Sequence, residues 1–332
     1  MFTSSRKKAP TTPAPLAEQS PWPGISWCQK GNANALRADS GLFHAQEPSV
    51  DLLVPTRDGL NFLQLCVEGL LDKTDYDNVH IYIVDNGSEK PETLAWLSAI
   101  QQNVRVSVVD FPGEFNFSAI NNRAAALGSG DYIGLINNDI EVIHPDWLTQ
   151  MMAWAVQPQV GIVGAKLLFS DGLVQHAGVT IGMGNAAGHI HRLEEGNSPG
   201  YQNRCIATQN MMAVTAACFL TPRSLYERLG GLDEQKFKVA YNDIDYCLRV
   251  EKMGFDVIWT PEARLYHHES VTRGDDMSEE HIKRYFKELK ALQKKWKTKG
   301  FVDKYYNKHL RIGDEGVYPN IDVIGEDPLR EL

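Results

Sequence analysis

Three short segments of the chain place an acidic side chain where it could bind a cation or take up a proton. The segments are Asp85-Asn86-Gly87-Ser88, Asn137-Asn138-Asp139 and Asn242-Asp243-Ile244-Asp245. A carboxylate in such a place can ligate a hard divalent cation, hydrogen-bond the edge of a nucleobase, or act as a general base on a hydroxyl. Each also has a purely structural interpretation: Asp85 as a turn residue, Asp139 as a helix cap and Asp243 as an acid in the first turn of a helix.

A histidine pair and an arginine follow these segments along the chain. His267 and His268 come after a stretch with strand character, and Arg273 is close behind them. A histidine pair beside an acidic cleft favours metal binding by one of the two imidazoles. The guanidinium of Arg273 suits phosphate oxygens, although an ordinary solvated loop charge fits the sequence as well.

The elements that must position these residues alternate between strand and helix in the first half of the globular part. Strands are expected at 52–54, 80–84, 104–109 and 132–136, and helices at 61–71, 91–100 and 117–127. This alternation predicts an α/β fold with a doubly wound, mainly parallel sheet and helices on both faces. Because ligands bind beyond the carboxyl ends of such strands, we expect Thr56, Asp85 and Asp139 to lie near one another.

The second half is less regular and predicts a smaller subregion beside the sheet. Strand character covers 160–169, 173–181, 213–220 and a short stretch around 257–259, and a helix is expected at 243–253. The clearest helix spans 278–299, with Ser278 as its N-cap. Its apolar stripe consists of Ile282, Tyr285, Phe286, Leu289, Leu292 and Trp296. The opposite side is basic, so this helix either packs on the core through its stripe or rests on an anionic membrane surface.

Composition argues against several classes of protein. The formal net charge of −9 disfavours a nucleic-acid partner. The five cysteines are odd in number and widely spaced, which favours reduced cytoplasmic thiols over a zinc cluster or a disulfide framework. We find no signal-peptide pattern, and the longest apolar stretch, 211–220, is too short to cross a bilayer. We therefore expect a cytoplasmic protein, with peripheral contact at the inner face of the membrane as an alternative.

Taken in order, the motifs of residues 50–275 resemble the family 2 glycosyltransferases with a GT-A fold. Within that family the sequence is most similar to bacterial rhamnosyltransferase-like enzymes that build surface polysaccharides. The resembling segments are Val54-Pro55-Thr56, Val84-Asp85-Asn86-Gly87-Ser88, Phe115-Asn116-Phe117-Ser118 with Asn121-Asn122, Asn137-Asn138-Asp139, Gln175-His176-Ala177-Gly178, Gly230-Gly231-Leu232-Asp233-Glu234, Asn242-Asp243-Ile244-Asp245-Tyr246-Cys247-Leu248-Arg249 and His267-His268-Glu269-Ser270. Each string is weakly specific, whereas the ordered series is strong. The resemblance implies an inverting transfer of a sugar from a nucleotide diphosphate to an acceptor hydroxyl.

The resemblance also assigns roles to individual residues. Asp243 is the expected catalytic base, and Asp139 with His267 the expected ligands of Mg²⁺ or Mn²⁺. The nucleotide-sugar site is expected to comprise Pro55, Thr56, Arg57, Asp58, Asp85, Asn116, Asn122, Asn138 and Arg273. Two positions depart from the family pattern. Asn137 replaces the first acid of the metal-binding Asp-x-Asp motif, and Asn242 replaces the Glu that usually precedes the base.

The implied partners are a UDP- or dTDP-linked sugar donor and a glycan or lipid-linked glycan acceptor. The two asparagine replacements keep open an alternative, a catalytically inactive nucleotide- or carbohydrate-binding module. A nucleotidyltransferase is disfavoured because residues 55–61 lack a phosphate loop rich in glycine and arginine. The expected organisation is a leader at 1–48, a GT-A domain at 49–275 and a helical extension at 276–332. Within the domain, 49–145 is the nucleotide-binding half and 146–275 the acceptor and catalytic half.

Overall fold

The computed structural model describes residues 47–268, 278–307 and 309–310. The strands are β1 (Val50–Thr56), β2 (Val79–Asp85), β3 (Val106–Asp110), β4 (Tyr132–Ile136), β5 (Ile140–Val142), β6 (Val160–Leu168), β7 (Val174–His176), β8 (Val179–Ile181), β9 (Ala187–His189), β10 (Gln209–Asn210), β11 (Cys218–Pro222) and β12 (Asp256–His267). The helices are α1 (Leu60–Asp72), α2 (Pro91–Ile100), α3 (Phe117–Ala125), α4 (Trp147–Ala155), α5 (Arg223–Arg228), α6 (Asn242–Lys252) and α7 (Glu279–Trp296). Most of the predicted leader lies outside this range, and the domain boundaries stay predictions.

One large sheet organises the described part of the chain, in the order β10-β12-β6-β11-β4-β1-β2-β3. Strands β1 to β4 are mutually parallel, and β6 and β12 run in the same direction. Strand β11 lies between β4 and β6 and is antiparallel to both. All seven residues of β1 are buried, as expected for a parallel strand covered on both faces. The mainly parallel sheet predicted from the sequence is thus confirmed.

Helices cover both faces of this sheet. Tyr132 of β4 donates its hydroxyl to the carbonyl of Ala155 in α4, at 3.2 Å. Thr221 of β11 pairs with Ile133, and its hydroxyl hydrogen-bonds that of Tyr246 in α6 at 2.9 Å. Because successive residues of a strand point to opposite faces, α4 and α6 lie on opposite sides of the sheet. The expected covering by helices on both faces is therefore present.

The second half of the chain departs from the predicted elements in places that matter for the site. The strand expected at 213–220 begins only at Cys218, because the preceding segment crosses between neighbouring elements: Met211 N–H donates to the Val257 carbonyl and Val179 N–H to that of Ala213. Strand β12 extends as far as His267, well past the short stretch that was expected. Strand β5 went unpredicted because its three residues are held by pairing with the end of β12.

The packing prediction for α7 is right for only part of the helix. Leu292 is buried, and Leu289 and Trp296 are partly buried against the core. Near the start of the helix, however, the exposed fractions are 37% for Ile282, 45% for Tyr285 and 53% for Phe286. Ser278 caps the helix as predicted, its Oγ accepting the His281 N–H at 3.4 Å. The first turns of α7 therefore present an apolar surface to solvent.

Two further expectations concern cysteines and membrane spans. Cys66, Cys205, Cys218 and Cys247 are buried free thiols, as expected, and Cys28 lies outside the described residues. In the part of the chain that the structure describes, no helix combines the length and apolarity needed to cross a membrane.

Candidate active site

A cavity of about 430 Å³ opens at the carboxyl ends of β1 and β4, where the start of α6 and the end of β12 also meet. It is lined by Pro55, Thr56, Arg57, Phe115, Phe117, Asn137, Asn138, Asp139, Thr215, Ala216, Ala217, Val239, Asn242, Asp243, His267, His281 and Arg284. Seven of the predicted site residues are among them: Pro55, Thr56, Arg57, Asn138, Asp139, Asp243 and His267. The parallel strand ends thus gather these residues from distant parts of the sequence.

Asp139 and His267 form a convergent pair at one wall. Asp139 follows β4, and His267 ends β12, where it pairs with Ile140 at the start of β5. The Nε2 of His267 lies 3.2 Å from Oδ1 of Asp139 and 3.1 Å from Nδ2 of Asn137. Asp139 and His267 are both buried. The short strand β5 is what brings the end of β12 against the turn that carries Asp139.

Gln175 fixes the tautomer of His267. Its Nε2 donates to the His267 carbonyl at 3.1 Å, so its Oε1 must be the atom that faces Nδ1 of the imidazole, 2.5 Å away. Nδ1 therefore carries a proton, and Nε2 points toward Asp139. Such an arrangement, with one ring nitrogen held by a hydrogen bond, is typical of metal-binding histidines. The sequence offered only the string Gln175-His176-Ala177-Gly178, with no role for the glutamine.

His268 is directed away from the cavity. Its Nε2 lies 2.9 Å from Oε2 of Glu141, and its Nδ1 lies 2.7 Å from the Ser170 hydroxyl. Because neighbouring residues at a strand end point to opposite sides, only one histidine of the pair can meet Asp139. The structure places His267 there, and its role as a metal ligand stays a prediction.

Asp243 lies in the first turn of α6, with its side chain partly buried at the cavity wall. Its Oδ2 accepts the Ala216 N–H at 3.2 Å, and Oδ1 accepts the N–H of Ile244 at 2.8 Å. Desolvation raises the pKa of this carboxyl, and the backbone N–H groups oppose the rise only in part. A carboxylate with a raised pKa and an open face is suited to accept a proton.

The neighbouring acid, Asp245, has a structural role instead. It is completely buried and forms an ion pair with Arg249 at 2.9 Å. Its other oxygen meets the Trp296 indole N–H at 2.7 Å and the Lys295 ammonium at 2.6 Å. Asp245 thus ties α6 to α7, and Asp243 is left as the acid of this segment that faces the cavity.

Helix α7 also holds the loop that precedes Asp243. The Glu288 carboxylate accepts the N–H groups of Ala240 and Val239, at 2.5 and 3.3 Å. The Tyr241 and Tyr285 hydroxyls are 2.7 Å apart. Tyr241 has a φ of 61°, an unfavourable backbone region for a residue with a side chain. These contacts from α7 hold the chain in that conformation immediately before Asp243.

The residues expected to bind the nucleoside divide into two groups. At the cavity, Asn138 Nδ2 donates to Thr56 Oγ1 at 3.1 Å, and the exposed Arg57 reaches Glu89 at 3.3 Å. Behind it, Asp85 is buried and its Oδ1 accepts the backbone N–H and the hydroxyl of Ser88, at 2.9 and 2.6 Å. Asp85 lies outside the set of lining residues, so its contact with a nucleobase stays a prediction.

Asp58 belongs to the same supporting network. Its N–H donates to the Ser88 hydroxyl at 2.8 Å, and its Oδ1 accepts the N–H groups of Glu89 and Lys90 at 3.1 and 3.0 Å. Asp58 has a φ of 51° and is followed by Gly59 at 66°. This tight turn directs Arg57 to the cavity, while the Asp58 side chain joins the turns that follow β1 and β2.

Asn116 and Asn122 do not line the cavity, contrary to their expected place in it. Asn116 caps α3 through the Ala119 N–H at 3.0 Å and donates to the Glu234 carbonyl at 3.1 Å. Asn122 accepts the Leu232 N–H at 2.9 Å and donates to the Leu232 carbonyl at 2.9 Å. Both amides fasten α3 to the turn at 231–234. Asparagine caps and ligand-binding asparagines look alike in a sequence, and a role of these two residues in nucleotide-sugar binding stays a prediction.

Some lining residues were missed and one predicted residue cannot be placed. Thr215, Ala216 and Ala217 reach the cavity because the segment before β11 is irregular, and His281 and Arg284 reach it from α7. For His281 and Arg284, the only signal in the sequence was the basic side of the 278–299 helix, and the sequence does not show where that helix packs. Arg273 lies outside the described residues.

Comparison of the chain with known proteins identifies its family. A model of glycosyl transferase family 2 matches residues 51–230, more than half of the chain. An uncharacterised protein y4gI of Sinorhizobium fredii is 46% identical over 266 residues, which are 80% of this chain and 29% of that protein. The O-antigen biosynthesis protein RfbC of Myxococcus xanthus is 39% identical, over 80% of this chain and 20% of RfbC. The chain therefore spans less than a third of the length of these relatives.

A more distant relative agrees with this assignment, and two solved structures share the fold. An N-acetylglucosaminyl-diphospho-decaprenol L-rhamnosyltransferase of Mycobacterium tuberculosis is 23% identical, over 60% of this chain and 69% of that enzyme. A GalNAc-T7 structure with UDP, GalNAc and Mn²⁺ superposes with a TM-score of 0.59 at 14% identity, over 76% of this chain and 49% of that one. The mannosyltransferase PcManGT of Pyrobaculum calidifontis, with GDP-Man and Mn²⁺, gives 0.50 at 14% identity, over 77% and 64%. The GT-A-like fold is thereby confirmed, and the chain belongs to glycosyl transferase family 2.

Proposed function

We propose that this protein is a metal-dependent, inverting glycosyltransferase that moves a sugar from a UDP- or dTDP-linked donor to a hydroxyl of a glycan or lipid-linked glycan. The observation that carries the proposal is that a candidate base, Asp243, and a candidate metal pair, Asp139 with His267, face one cavity at the carboxyl ends of parallel strands. In open α/β sheets this is where nucleotide ligands bind.

The donor atoms at the cavity wall fit a divalent cation. Asp139 Oδ1 and His267 Nε2 are 3.2 Å apart, close enough that both atoms would hold one divalent cation. The contact of Nδ1 with Gln175 Oε1 leaves Nε2 as the ring nitrogen of His267 that a metal would meet. Asn137 can contribute a neutral oxygen in place of the usual acid. Mg²⁺ or Mn²⁺ held there would stabilise the charge of a departing nucleoside diphosphate.

Asp243 is the proposed general base. Among the lining residues that the structure describes, Asp139 and Asp243 are the carboxylates, and we assign Asp139 to the metal together with His267. The proton of the acceptor hydroxyl passes to the Asp243 carboxylate as the hydroxyl oxygen bonds to the anomeric carbon. The bond between that carbon and the phosphate oxygen breaks, and the nucleoside diphosphate leaves with its electron pair. Attack from the face opposite the leaving group inverts the anomeric configuration. Asn242, beside the base, donates to the Val239 carbonyl at 2.7 Å and so supports the loop.

The proposed donor and biological role draw on the relatives as well as on the site. One solved neighbour contains UDP and Mn²⁺, and relatives are named for O-antigen biosynthesis and rhamnosyl transfer. Thr56, Arg57 and Asn138 would contact the donor at the open side of the cavity, backed by Asp58 and Asp85. We propose a role in bacterial surface-polysaccharide synthesis. The exposed Ile282, Tyr285 and Phe286 of α7 support peripheral contact with the cytoplasmic face of a membrane.

A second candidate function is a nucleotide- or carbohydrate-binding module without turnover, which the replacement of an acid by Asn137 favours. Incubation with a panel of UDP- and dTDP-sugars, in Mn²⁺, Mg²⁺ or chelator, separates the two. The enzyme releases nucleoside diphosphate with the metals and little with chelator, and an Asp243→Asn control lowers the release. Binding of nucleotide sugars with no release under any condition would assign the module instead.

A further inference from the structure

His176 is a fully buried histidine of the Gln175-His176-Ala177-Gly178 motif, and the proposed mechanism leaves it without a role. It ends strand β7, which is buried along its whole length and pairs antiparallel with β6. The side chain of the preceding residue, Gln175, meets His267 at the wall that carries the candidate metal pair. Because successive residues of a strand point to opposite sides, the His176 side chain faces another part of the structure.

The imidazole of His176 contacts the support segment, residues 213–217, which comes directly before β11. At each end of this segment a backbone carbonyl, that of Ala213 or Ala217, accepts a backbone N–H, at 3.0 and 2.9 Å. In the middle, the Thr215 N–H donates to Nε2 of His176 at 3.4 Å. The acceptor at the centre of the segment is therefore a side chain instead of a backbone carbonyl.

The support segment holds the carboxylate of Asp243. The Ala216 N–H donates to Oδ2 of Asp243 at 3.2 Å, and the Thr215 hydroxyl hydrogen-bonds the same carboxyl. Burial raises the pKa of Asp243, and these hydrogen bonds oppose the rise because they stabilise the charged form. The direction and the charge of the carboxylate thus depend on where Thr215 and Ala216 lie.

The ring of His176 is neutral and has a defined tautomer. Burial, followed by the neighbouring His189 and His267, holds the pKa of His176 well below its usual range. Because Nε2 accepts the Thr215 N–H, the single ring proton is on Nδ1, which lies 3.0 Å from Nδ1 of His189 and donates to it. The imidazole thus has a fixed orientation and keeps one nitrogen as an acceptor for the support segment.

We propose that His176 is a positioning residue for the general base. Its Nε2 holds the Thr215 N–H, and Thr215 together with Ala216 directs the Asp243 carboxylate at the acceptor hydroxyl. Strand β7 then supports both walls of the cavity, through Gln175 at the metal pair and through His176 at the base. The inference rests on the proposed function and adds a residue to its mechanism.

The test compares substitutions of buried residues that differ in what they contact. His176→Leu fills a similar space without an acceptor, whereas His176→Gln keeps an acceptor oxygen near the position of Nε2. His191→Leu is the matched control, because His191 is equally buried but hydrogen-bonds Glu194. Gln175→Leu removes the support of the metal pair from the same strand. Thermal melting of all four variants shows whether they fold.

We expect His176→Leu to lower kcat about tenfold relative to His191→Leu, because the base loses its orientation. The acid limb of kcat/KM should move up by about half a pH unit or more, since the hydrogen bonds to the charged carboxylate weaken. The KM for the donor and the affinity for Mn²⁺ should change less than about twofold. His176→Gln should restore most of the kcat and of the acid limb.

Gln175→Leu should give the opposite pattern, which a general loss of packing would not produce. It should weaken Mn²⁺ binding about tenfold and leave the acid limb in place. If His176→Leu matches His191→Leu in kcat and in the acid limb, His176 only fills the core and the proposal is overturned.

Two NMR measurements separate this inference from the proposed function, because neither needs a transfer reaction. The first is a carbon-13 titration of the side-chain carboxyls, with the Asp243 signal assigned from its absence in Asp243→Asn. A higher pKa of Asp243 in His176→Leu than in His191→Leu supports the inference, and equal pKa values contradict it.

The second measurement uses the wild-type protein and so applies even if His176→Leu does not fold. Nitrogen-15 spectra of the histidine rings show which nitrogen carries the proton. A proton on Nδ1 of His176 supports the inference, and a proton on Nε2 contradicts it. A wild-type protein that releases no nucleoside diphosphate from any donor would count against the proposed function instead.

Discussion

The two sides of the active-site cavity use the same residue type for different purposes. Behind the ends of β1 and β2, the carboxylates of Asp58 and Asp85 accept hydrogen bonds from the surrounding backbone and from Ser88. At the ends of β4 and β12 and the start of α6, Asp139 and Asp243 face the cavity itself. The first pair is part of the frame that shapes the turns, and the second is available to a ligand. In the proposed function, an acid thus takes part in transfer only where its surroundings leave the carboxylate a free direction.

The largest contrast is expected from Asp243→Asn, which removes the base and keeps its shape. Loss of general-base catalysis should lower kcat by about 10³-fold, while donor affinity changes little. The free energy of unfolding should change by less than about 1–3 kcal/mol, because the loss of one oxygen that accepts a backbone N–H opposes the removal of a partly desolvated charge. Nucleoside diphosphate release, donor titration and urea denaturation measure the three quantities. Turnover near the wild-type level would remove Asp243 from its assigned role.

The adjacent histidines provide a second contrast. His267→Ala should weaken Mn²⁺ binding by at least about 100-fold, because a ligand is lost where even an outer partner costs 10- to 100-fold. His268→Ala is the matched control, since it breaks contacts with Glu141 and Ser170 outside the cavity. Mn²⁺ affinity can be followed by electron paramagnetic resonance. A stronger effect of His268 than of His267 would reverse the assignment.

Substitution of Asp85, one of the two acids that support the turns, should change the free energy of unfolding more than the rate of transfer. Asp85→Ala leaves the Ser88 N–H and hydroxyl without their acceptor, which should lower the free energy of unfolding by about 1–3 kcal/mol. The KM for the donor should rise as the turn loosens, and kcat should fall far less than in Asp243→Asn. Urea unfolding beside steady-state kinetics measures both. A loss of kcat as large as that of Asp243→Asn would contradict the distinction between acids that support the turns and acids that take part in transfer.

The smallest expected effect is a shift in the pH profile. Desolvation raises the pKa of Asp243 above its usual value, and a general base must be deprotonated to act. Transfer should therefore fall as pH decreases through that raised pKa, at a higher pH than an exposed aspartate would give. The acid limb of kcat/KM against pH measures this. An acid limb at or below the ordinary pKa of aspartate would contradict the burial of this carboxyl.

The sequence was sufficient to predict the sheet and the residues that meet at its edge. Asp139 and Thr56 could be placed together because parallel strands end on one side, and Asp243 and His267 followed from the ordered resemblance. Gln175 and β5 could not be predicted, since each is defined by contact with the far end of β12.

The sequence predicts the role of a side chain least well where the packing of distant segments decides that role. Asn116 and Asn122 look like ligand-binding amides, but the turn at 231–234 occupies them. Gly231, with a φ of 69°, passes so close to Asn122 that a Cβ at this position would collide with its Oδ1. The role of α7 could not be predicted either, because it depends on where the helix packs. The structure places it against the loop that precedes Asp243.

The stereochemistry of the transferred sugar tests the central claim most directly. A donor of known anomeric configuration is turned over by the wild-type protein with Mn²⁺ and acceptor, and the new linkage is assigned by NMR from its anomeric coupling constant. A single displacement assisted by Asp243 predicts that the configuration is inverted. A product that retains the donor's configuration would contradict the account.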